Sequence, residues 1–235
     1  MYLCGHPGTG KTSTLHKVLA TLKANERHES IYENLDIFLY NAMSFKDVKR
    51  FCIRLLSDLT EKLVGEVIDD EHFKDKKYDE EDLSLKIAKV LQNKSKFTKI
   101  IVIDEIDSFE SNERGFMALV KNIIVSKSNT ILIGIANSVD LPFKKKHSAI
   151  ALRDSQLLFE PYKEDQIIEI LEKKINLKFQ FLPQQIRDDS SIKSAFFSIV
   201  EAKAFSLIAK RVSKMNGDLR VAFDILKSCF VDIQS

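Results

Sequence analysis

The chain has 235 residues, enough for one large domain or two smaller ones, and its composition, 44% hydrophobic and 30% charged, is typical of a globular protein. A formal net charge of +2 does not indicate nucleic-acid binding by bulk charge, although it leaves room for a local basic patch. The 3 cysteines are far apart and lack a metal-ligand spacing, which favours reduced thiols, and no apolar run reaches the roughly 18 residues that a membrane span needs.

The first motif from the N-terminus is GHPGTGKT, from Gly5 to Thr12, which fits the phosphate-loop pattern G-x-x-x-x-G-K-[ST]. Residues 2–4 before it predict the end of a buried strand, and residues 12–23 after it predict a helix. Strand, glycine-rich loop and helix in this order direct a helix N-terminus at an anion, which disfavours a glycine-rich turn without a ligand. The predicted apolar face of the helix consists of Leu15, Val18, Leu19 and Leu22.

Each residue type of this loop suits contact with phosphates. Glycines at positions 5, 8 and 10 permit positive φ, so that backbone N–H groups can close around phosphate oxygens. Lys11 can reach the β- and γ-phosphates, and the Thr12 hydroxyl can take one position around Mg²⁺. We therefore predict that a nucleotide is bound by Gly5, His6, Pro7, Gly8, Thr9, Gly10, Lys11, Thr12 and Ser13.

Short apolar runs that predict β-strands recur along the chain, with helical patterns between them. They lie near residues 1–4, 35–40, 99–104, 130–136 and 156–160. This alternation predicts an α/β fold with a parallel, doubly wound sheet. The mostly charged stretch at residues 69–82 predicts a solvated loop or a poorly ordered insertion.

The strand predicted at residues 99–104 ends in two adjacent carboxylates, Asp104 and Glu105. Ligands of open α/β sheets bind at this edge, and two carboxylates there are costly without a cation to face. Asp104 is placed to hold Mg²⁺, directly or through water, and Glu105 is placed to orient a water molecule that attacks a γ-phosphate. The alternative is a strand that ends in a charged turn, which the nearby phosphate loop disfavours. We expect Asp107 to cap the next helix or loop and assign it no chemistry.

For two further features, Asn137 and a basic cluster at residues 142–148, the sequence leaves two interpretations open. Asn137 follows the apolar run at 130–136, where its amide could reach the γ-phosphate or the attacking water, or could simply form a turn. The basic cluster PFKKKHS at residues 142–148 fits a solvated face, or a contact with DNA phosphates or a neighbouring subunit.

After Pro161 the pattern changes, and no further strand is predicted. Helices are predicted at residues 164–178, 189–215 and 218–233, so we expect one domain at 1–160 and a helical domain at 161–235. Asp218 is the expected N-cap of the last helix. Arg220 lies in the first turn of that helix, where a cation is unfavourable for the dipole and needs an anion such as phosphate; an ordinary surface arginine is the alternative.

The stretches GHPGTGKT, IIVIDEID, GIANSVDLP and GDLRVAFDIL, in this order, resemble AAA+ ATPases. GIANSVDLP together with GDLRVAFDIL is narrower and resembles the eukaryotic replication initiators, the family that contains the largest subunit of the origin recognition complex and cell division control protein six. The resemblance covers nearly the whole chain. It implies a P-loop AAA+ core with a parallel five-stranded sheet, followed by a small all-α lid domain.

The resemblance implies a role for each residue that matches a family motif. Asp104 and Glu105 would be Walker B residues, Asn137 matches sensor one, and Arg220 matches sensor two, which reaches the γ-phosphate from the lid. ATP or ADP would be the bound nucleotide, with Mg²⁺ held by Thr12 and Asp104. The Walker A residues would be Gly5, Gly8, Gly10, Lys11 and Thr12.

Two departures from the family pattern bear on these expectations. Where family members carry an arginine finger, this chain reads HSAIALRDSQLLFEPY, and Arg153 is the nearest candidate, with a surface position as the equal alternative. The chain also starts within the first predicted strand and stops at Ser235. We therefore expect that the segment that helps hold adenine and the C-terminal winged-helix domain are missing.

The resemblance implies an ATPase that binds and slowly hydrolyses ATP in the initiation of DNA replication, and whose ATP state gates origin DNA binding and loading of the replicative helicase. The expected partners are origin recognition complex subunits, the replicative helicase and double-stranded DNA, without a membrane, and the expected location is the nucleus. Two alternatives remain. FEPY and GIANSVDLP argue against a clamp-loader-type AAA+ subunit, and the presence of Lys11 and Glu105 argues against a scaffold that holds ATP without hydrolysing it.

Overall fold

The computed structural model describes residues 1–24, 35–67, 78–92, 98–137, 155–180, 184 and 202–234. The chain divides into two compact units. The first consists of Met1–Cys4 and the described residues of Lys11–Leu158, and the second of Gly5–Gly10 and the described residues from Phe159 onwards. Their predicted roles as a nucleotide-binding domain and a lid stay predictions.

A five-stranded sheet of order β2-β3-β4-β1-β5 confirms the predicted doubly wound α/β fold. The strands are β1 (Tyr2–Gly5), β2 (Leu35–Asn41), β3 (Thr98–Asp104), β4 (Thr130–Ala136) and β5 (Gln156–Phe159). The pairs β1–β4, β2–β3 and β3–β4 are parallel, so their carboxyl ends meet at one edge of the sheet. The run of β-branched residues in β3 is buried, as expected for a central strand.

The helices of the first unit are α1 (Lys11–Ala24), α2 (Val48–Val64), α3 (Glu80–Gln92) and α4 (Glu113–Val125), with short 3-10 helices at Ala42–Ser44 and Ile106–Asn112. Apolar residues of α2 recur every three or four positions and are buried in the core with residues of α3 and α4. Asp47 caps the N-terminus of α2, since its Oδ1 accepts from the Arg50 N–H at 2.8 Å. Gly65 ends the helix in the left-handed conformation.

Two sequence expectations in this unit were wrong. Val18 is 49% exposed, because the buried face of α1 is narrow and follows the i, i+4 row of Lys11, Leu15 and Leu19. The last part of the charged stretch at 69–82 is not a loop, since α3 begins at Glu80. The Asp79 side chain accepts from the Asp82 N–H at 2.8 Å, and acidic residues in a first helical turn are favoured by the dipole. Residues 69–77 lie outside the described residues.

Lys99 in β3 is a buried lysine, with 1% of its surface exposed, whose Nζ donates to the Leu91 carbonyl at 3.4 Å. Burial lowers the pKa of its ammonium group, and the Asp36 carboxylate acts against this shift. Lys99→Met keeps most of the volume and removes the buried charge, so we expect a free energy of unfolding within about 1.5 kcal/mol of wild type. Lys99→Ala should lower it by about 2–5 kcal/mol through the cavity it leaves. Urea unfolding of both variants checks this, and an equal loss in both would mean that the ammonium contact, rather than packing, stabilises the strand.

The second unit is helical in its described part from residue 161 onwards, with α5 (Glu164–Gln180), α6 (Ala202–Met215) and α7 (Leu219–Gln234). Its core is formed by Ile167, Leu171, Ile175, Phe205, Ile208, Ala209, Val212 and Ala222. The break predicted between the helices at 189–215 and 218–233 is confirmed, because Asn216 and Gly217 have positive φ and their N–H groups donate to the Val212 carbonyl. The part of the predicted helix at 189–201 lies outside the described residues. Among the described helices, none combines the length and hydropathy that crossing a bilayer requires.

Candidate active site

The glycine-rich loop has the backbone that the sequence predicts, with positive φ at all three of its glycines. At Gly8, with φ of +74°, an added Cβ would lie 1.7 Å from Oδ1 of Asp218. The Leu219 N–H donates to the Gly8 carbonyl at 3.4 Å, so the N-terminus of α7 contacts the loop directly. Thr9 is buried and its Oγ1 donates to the His6 carbonyl at 2.8 Å. The side chains of His6, Pro7 and Ser13 are exposed.

The next residues along the chain, Lys11 and Thr12, begin helix α1 in the first unit and point at the carboxyl edge of the sheet. Lys11 is 6% exposed, and its Nζ donates to Oδ1 of Asn137 at 3.1 Å. The Thr12 hydroxyl donates to Oδ2 of Asp104 at 2.8 Å. The structure therefore brings together a cation, a hydroxyl, a carboxylate and an amide that are spread over more than a hundred residues of sequence.

Glu105 follows the end of β3 in a strained conformation, with φ of 55° and ψ of 42°. A non-glycine residue in this left-handed region is uncommon and clusters at functional sites. Its N–H donates to Oδ1 of Asp104 at 2.9 Å. Burial raises the pKa of the Glu105 carboxyl, and the charges of Asp104 and Asp107 raise it further, while a hydrogen bond from Asn137 and the charge of Lys11 act in the opposite direction.

Asn137 lies at the centre of this group and directly follows the last residue of β4. Its Oδ1 accepts from Lys11, and its Nδ2 donates to Oε2 of Glu105 at 2.5 Å. These two contacts fix the orientation of the amide, since lysine can only donate and an ionised glutamate can only accept. The amide of Asn137 therefore lies between Lys11 and Glu105. Its predicted contact with a γ-phosphate or an attacking water stays a prediction.

Asp107 was expected to cap the next helix or loop, and of the described helices its side chain caps neither the 3-10 helix in which it lies nor α4. The cap of α4 is Asn112, whose side chain accepts from the Gly115 N–H. The Oδ2 of Asp107 instead accepts from the backbone N–H of Asn137 at 2.6 Å. The sequence carried a signal for this, since Asp107 belongs to the same DEID run as Asp104 and Glu105.

The donor set of the sheet edge fits Mg²⁺. Among the described residues, no group of three or more histidine, cysteine or acidic side chains could form a metal cage. Mg²⁺ in nucleotide sites is instead held by one or two protein oxygens together with waters and phosphates. The paired oxygens of Thr12 and Asp104, 2.8 Å apart, are the type of donor that this arrangement requires.

Arg220 lies in the first turn of α7 in the second unit, together with the predicted cap Asp218. Oδ1 of Asp218 accepts from the Arg220 N–H at 2.9 Å, which confirms the cap. The same carboxylate forms an ion pair with the guanidinium, with Nη2 2.7 Å from Oδ2. The Asp218 carboxylate is therefore an anion at the N-terminus of α7, where the helix dipole favours negative charge. Asp218 also lies against Gly8 of the loop. Arg153 and the basic cluster at 142–148 lie outside the described residues.

Comparison with known proteins finds that residues 1–141 match a family model described as "AAA domain". The chain is 24% identical over 239 residues to the human cell division control protein 6 homolog, covering all of this chain and 37% of that protein. It is 26% identical over 239 residues to origin recognition complex subunit 1 of Plasmodium falciparum, covering 98% of this chain and 17% of that protein. The chain therefore spans well under half the length of these relatives. Its fold is similar to that of the Aeropyrum pernix ORC1 protein solved in complex with DNA, with a TM-score of 0.66 and 23% identity over 96% of this chain and 52% of that one.

Proposed function

Because this chain belongs to the AAA domain family, we propose that it is the ATP-binding part of a replication initiator that hydrolyses ATP slowly. The observation that carries the proposal is the position of Asn137, whose amide joins Lys11 to Glu105 beside the Thr12–Asp104 pair. A cation, an activating carboxylate and an amide between them are the groups that phosphoryl transfer to water requires.

In the proposed reaction, the N–H groups of the glycine-rich loop and the Lys11 ammonium bind the β- and γ-phosphates of ATP. Thr12 and Asp104 would hold Mg²⁺, which supplies positive charge to the phosphate oxygens when bound. Glu105 orients the attacking water and polarises it through its carboxylate. Asn137 holds Lys11 and Glu105 in a fixed relation, so that little reorganisation is needed when charge develops.

Arg220 is proposed to contact the γ-phosphate from the helical unit, as its match to sensor two implies. Its guanidinium pairs with Asp218, and 65% of the arginine side chain is exposed. Because an exposed ion pair contributes little stability, a phosphate could compete with Asp218 for the guanidinium. Different contacts of Arg220 with ATP and ADP would couple nucleotide state to the affinity for partners. Arg153 stays the candidate for an arginine finger that acts on a neighbouring subunit.

For the whole protein we propose a role at replication origins in the nucleus, with origin recognition complex subunits, the replicative helicase and double-stranded DNA as partners. The proposal is supported by the names of the relatives, an origin recognition complex subunit and a cell division control protein, and by the DNA-bound state of the similar structure. In this role, the ATP state gates origin DNA binding and helicase loading.

A pull-down from nuclear extract tests this function. Full-length protein that carries Glu105→Gln should retain ATP and recover origin recognition complex subunits or replicative helicase, because the ATP state is trapped. Addition of Lys11→Ala should abolish the recovery, since nucleotide is then not bound. Recovery of a sliding clamp and small clamp-loader subunits would contradict the initiator proposal and favour the clamp-loader alternative.

A further inference from the structure

Asp107 connects the ends of two neighbouring strands. It lies three residues beyond the end of β3, and its Oδ2 accepts from the backbone N–H of Asn137, one residue beyond the end of β4, at 2.6 Å. The last register pair of β4 with β1 is Cys4–Ala136, so the Asn137 N–H lies past the paired part of the sheet. A charged acceptor forms a shorter and stronger bond there than a neutral one.

The turn that carries Asp107 is itself closely held. The left-handed conformation of Glu105 reverses the chain after β3, and the Ser108 N–H donates to the Glu105 carbonyl at 3.0 Å. Ile106, only 2% exposed, packs against β4 at Gly134, where an added Cβ would lie 3.0 Å from Cδ1 of Ile106. Since the residue before it is anchored on β4, Asp107 has little freedom to lie elsewhere.

The position of the Asn137 side chain is also restricted. Its side chain makes two directional contacts at once, with Lys11 at 3.1 Å and with Glu105 at 2.5 Å. The Asn137 side chain has two torsions, and a single rotamer has to serve both contacts. The amide can therefore make both hydrogen bonds only when the Asn137 backbone is held in the right place. The Asp107 hydrogen bond holds that backbone at its nitrogen.

We propose that Asp107 is a positioning residue for Asn137: by accepting the Asn137 backbone N–H, it sets the place from which the Asn137 amide contacts Lys11 and Glu105. The expected effect on kcat rests on the proposed ATPase function. The expected effect on the position of Asn137 rests on the geometry of β3, β4 and the Ile106–Asn112 helix. In this role Asp107 acts on the reaction through the Asn137 backbone N–H. Its removal should therefore change the rate of the chemical step more than the affinity for nucleotide.

The test compares three variants of the full-length protein. Asp107→Ala removes the acceptor, and Asp107→Asn keeps an oxygen that can accept the Asn137 N–H while losing the charge. Glu110→Ala is the matched control, since it removes an exposed carboxylate from the same 3-10 helix. Two readouts are made on each variant: ATP hydrolysis with separate kcat and KM, and deuterium exchange of the Asn137 amide at single-residue resolution by mass spectrometry.

We expect Asp107→Ala to lower kcat by about 10- to 100-fold with KM nearly unchanged, as for a displaced catalytic group. Its Asn137 amide should exchange faster, because the hydrogen bond that protects it is lost. Asp107→Asn should recover most of kcat and of the protection, and Glu110→Ala should match wild type in both.

Three results would overturn the inference. One is an unchanged kcat in Asp107→Ala. Another is a joint loss of kcat, nucleotide affinity and thermal stability that Asp107→Asn does not rescue, which would make Asp107 a general structural residue. The third is unchanged Asn137 exchange. If wild-type protein hydrolyses no ATP even with its partners, the ATPase proposal fails, and the exchange measurement alone then decides whether Asp107 positions Asn137.

Discussion

Replacing Lys11 with alanine should raise the Kd for ATP by about 100-fold or more, since a charge-assisted contact in a water-poor site is worth about 3 kcal/mol. Lys11 is buried at the N-terminus of α1, with its ammonium already directed at Asn137, so little ordering is needed before it meets a phosphate. The measurement is a titration of the protein with a fluorescent ATP analogue or by calorimetry, in the presence of Mg²⁺.

Lys17→Ala is the matched control for this experiment. It removes a lysine from the same helix, but from an exposed position, and should bind ATP like wild type. The Lys11→Ala protein should remain folded, because the Thr12–Asp104 contact and the buried residues Leu15 and Leu19 still hold α1 on the sheet. Equal affinities of wild type and Lys11→Ala would contradict the assignment of Gly5–Gly10 and Lys11 as a phosphate-binding loop.

Within the described residues, each strand was predicted to within one residue at either end, and the reason is visible in β3 and β4. Their runs of β-branched apolar residues lack the alternating polar positions of a half-buried strand. The runs are also too short to indicate a helix. In a parallel sheet, the residues that follow such runs must meet at one edge. Asp104, Glu105 and Asn137 could thus be predicted as neighbours from the sequence alone.

The contacts that organise the site could not be predicted in the same way. Asp107 and Asn137 are 30 residues apart, and their hydrogen bond depends on how far β4 extends past β3 and on the left-handed turn at Glu105. The approach of Asp218 to Gly8 depends on tertiary folding across most of the chain. Val18 shows the same limit on a smaller scale, because periodicity marks an apolar face but not how much of it the sheet covers.

Replacing Glu105 with glutamine should lower the rate of ATP hydrolysis by about 100- to 1,000-fold, the usual effect of losing a positioned general base. The Kd for ATP should stay at or below the wild-type value, because the change removes a negative charge beside Asp104 and Asp107, near the place where phosphates would bind. Glutamine is nearly isosteric, and its carbonyl oxygen can still accept from Nδ2 of Asn137, so the surrounding contacts are kept.

Single-turnover hydrolysis of radiolabelled ATP, with the proposed partners added, measures this effect even when turnover is slow. Glu110→Gln is the control, since it changes an exposed glutamate of the adjoining 3-10 helix in the same chemical way. If Glu105→Gln hydrolyses ATP as fast as wild type, another group activates the water and the proposed mechanism is wrong. If wild type binds ATP tightly but shows no turnover with its partners, ATP is a structural ligand and the non-hydrolysing scaffold is the better description, because Lys11, Asn137 and Glu105 would then hold nucleotide without using the carboxylate as a base.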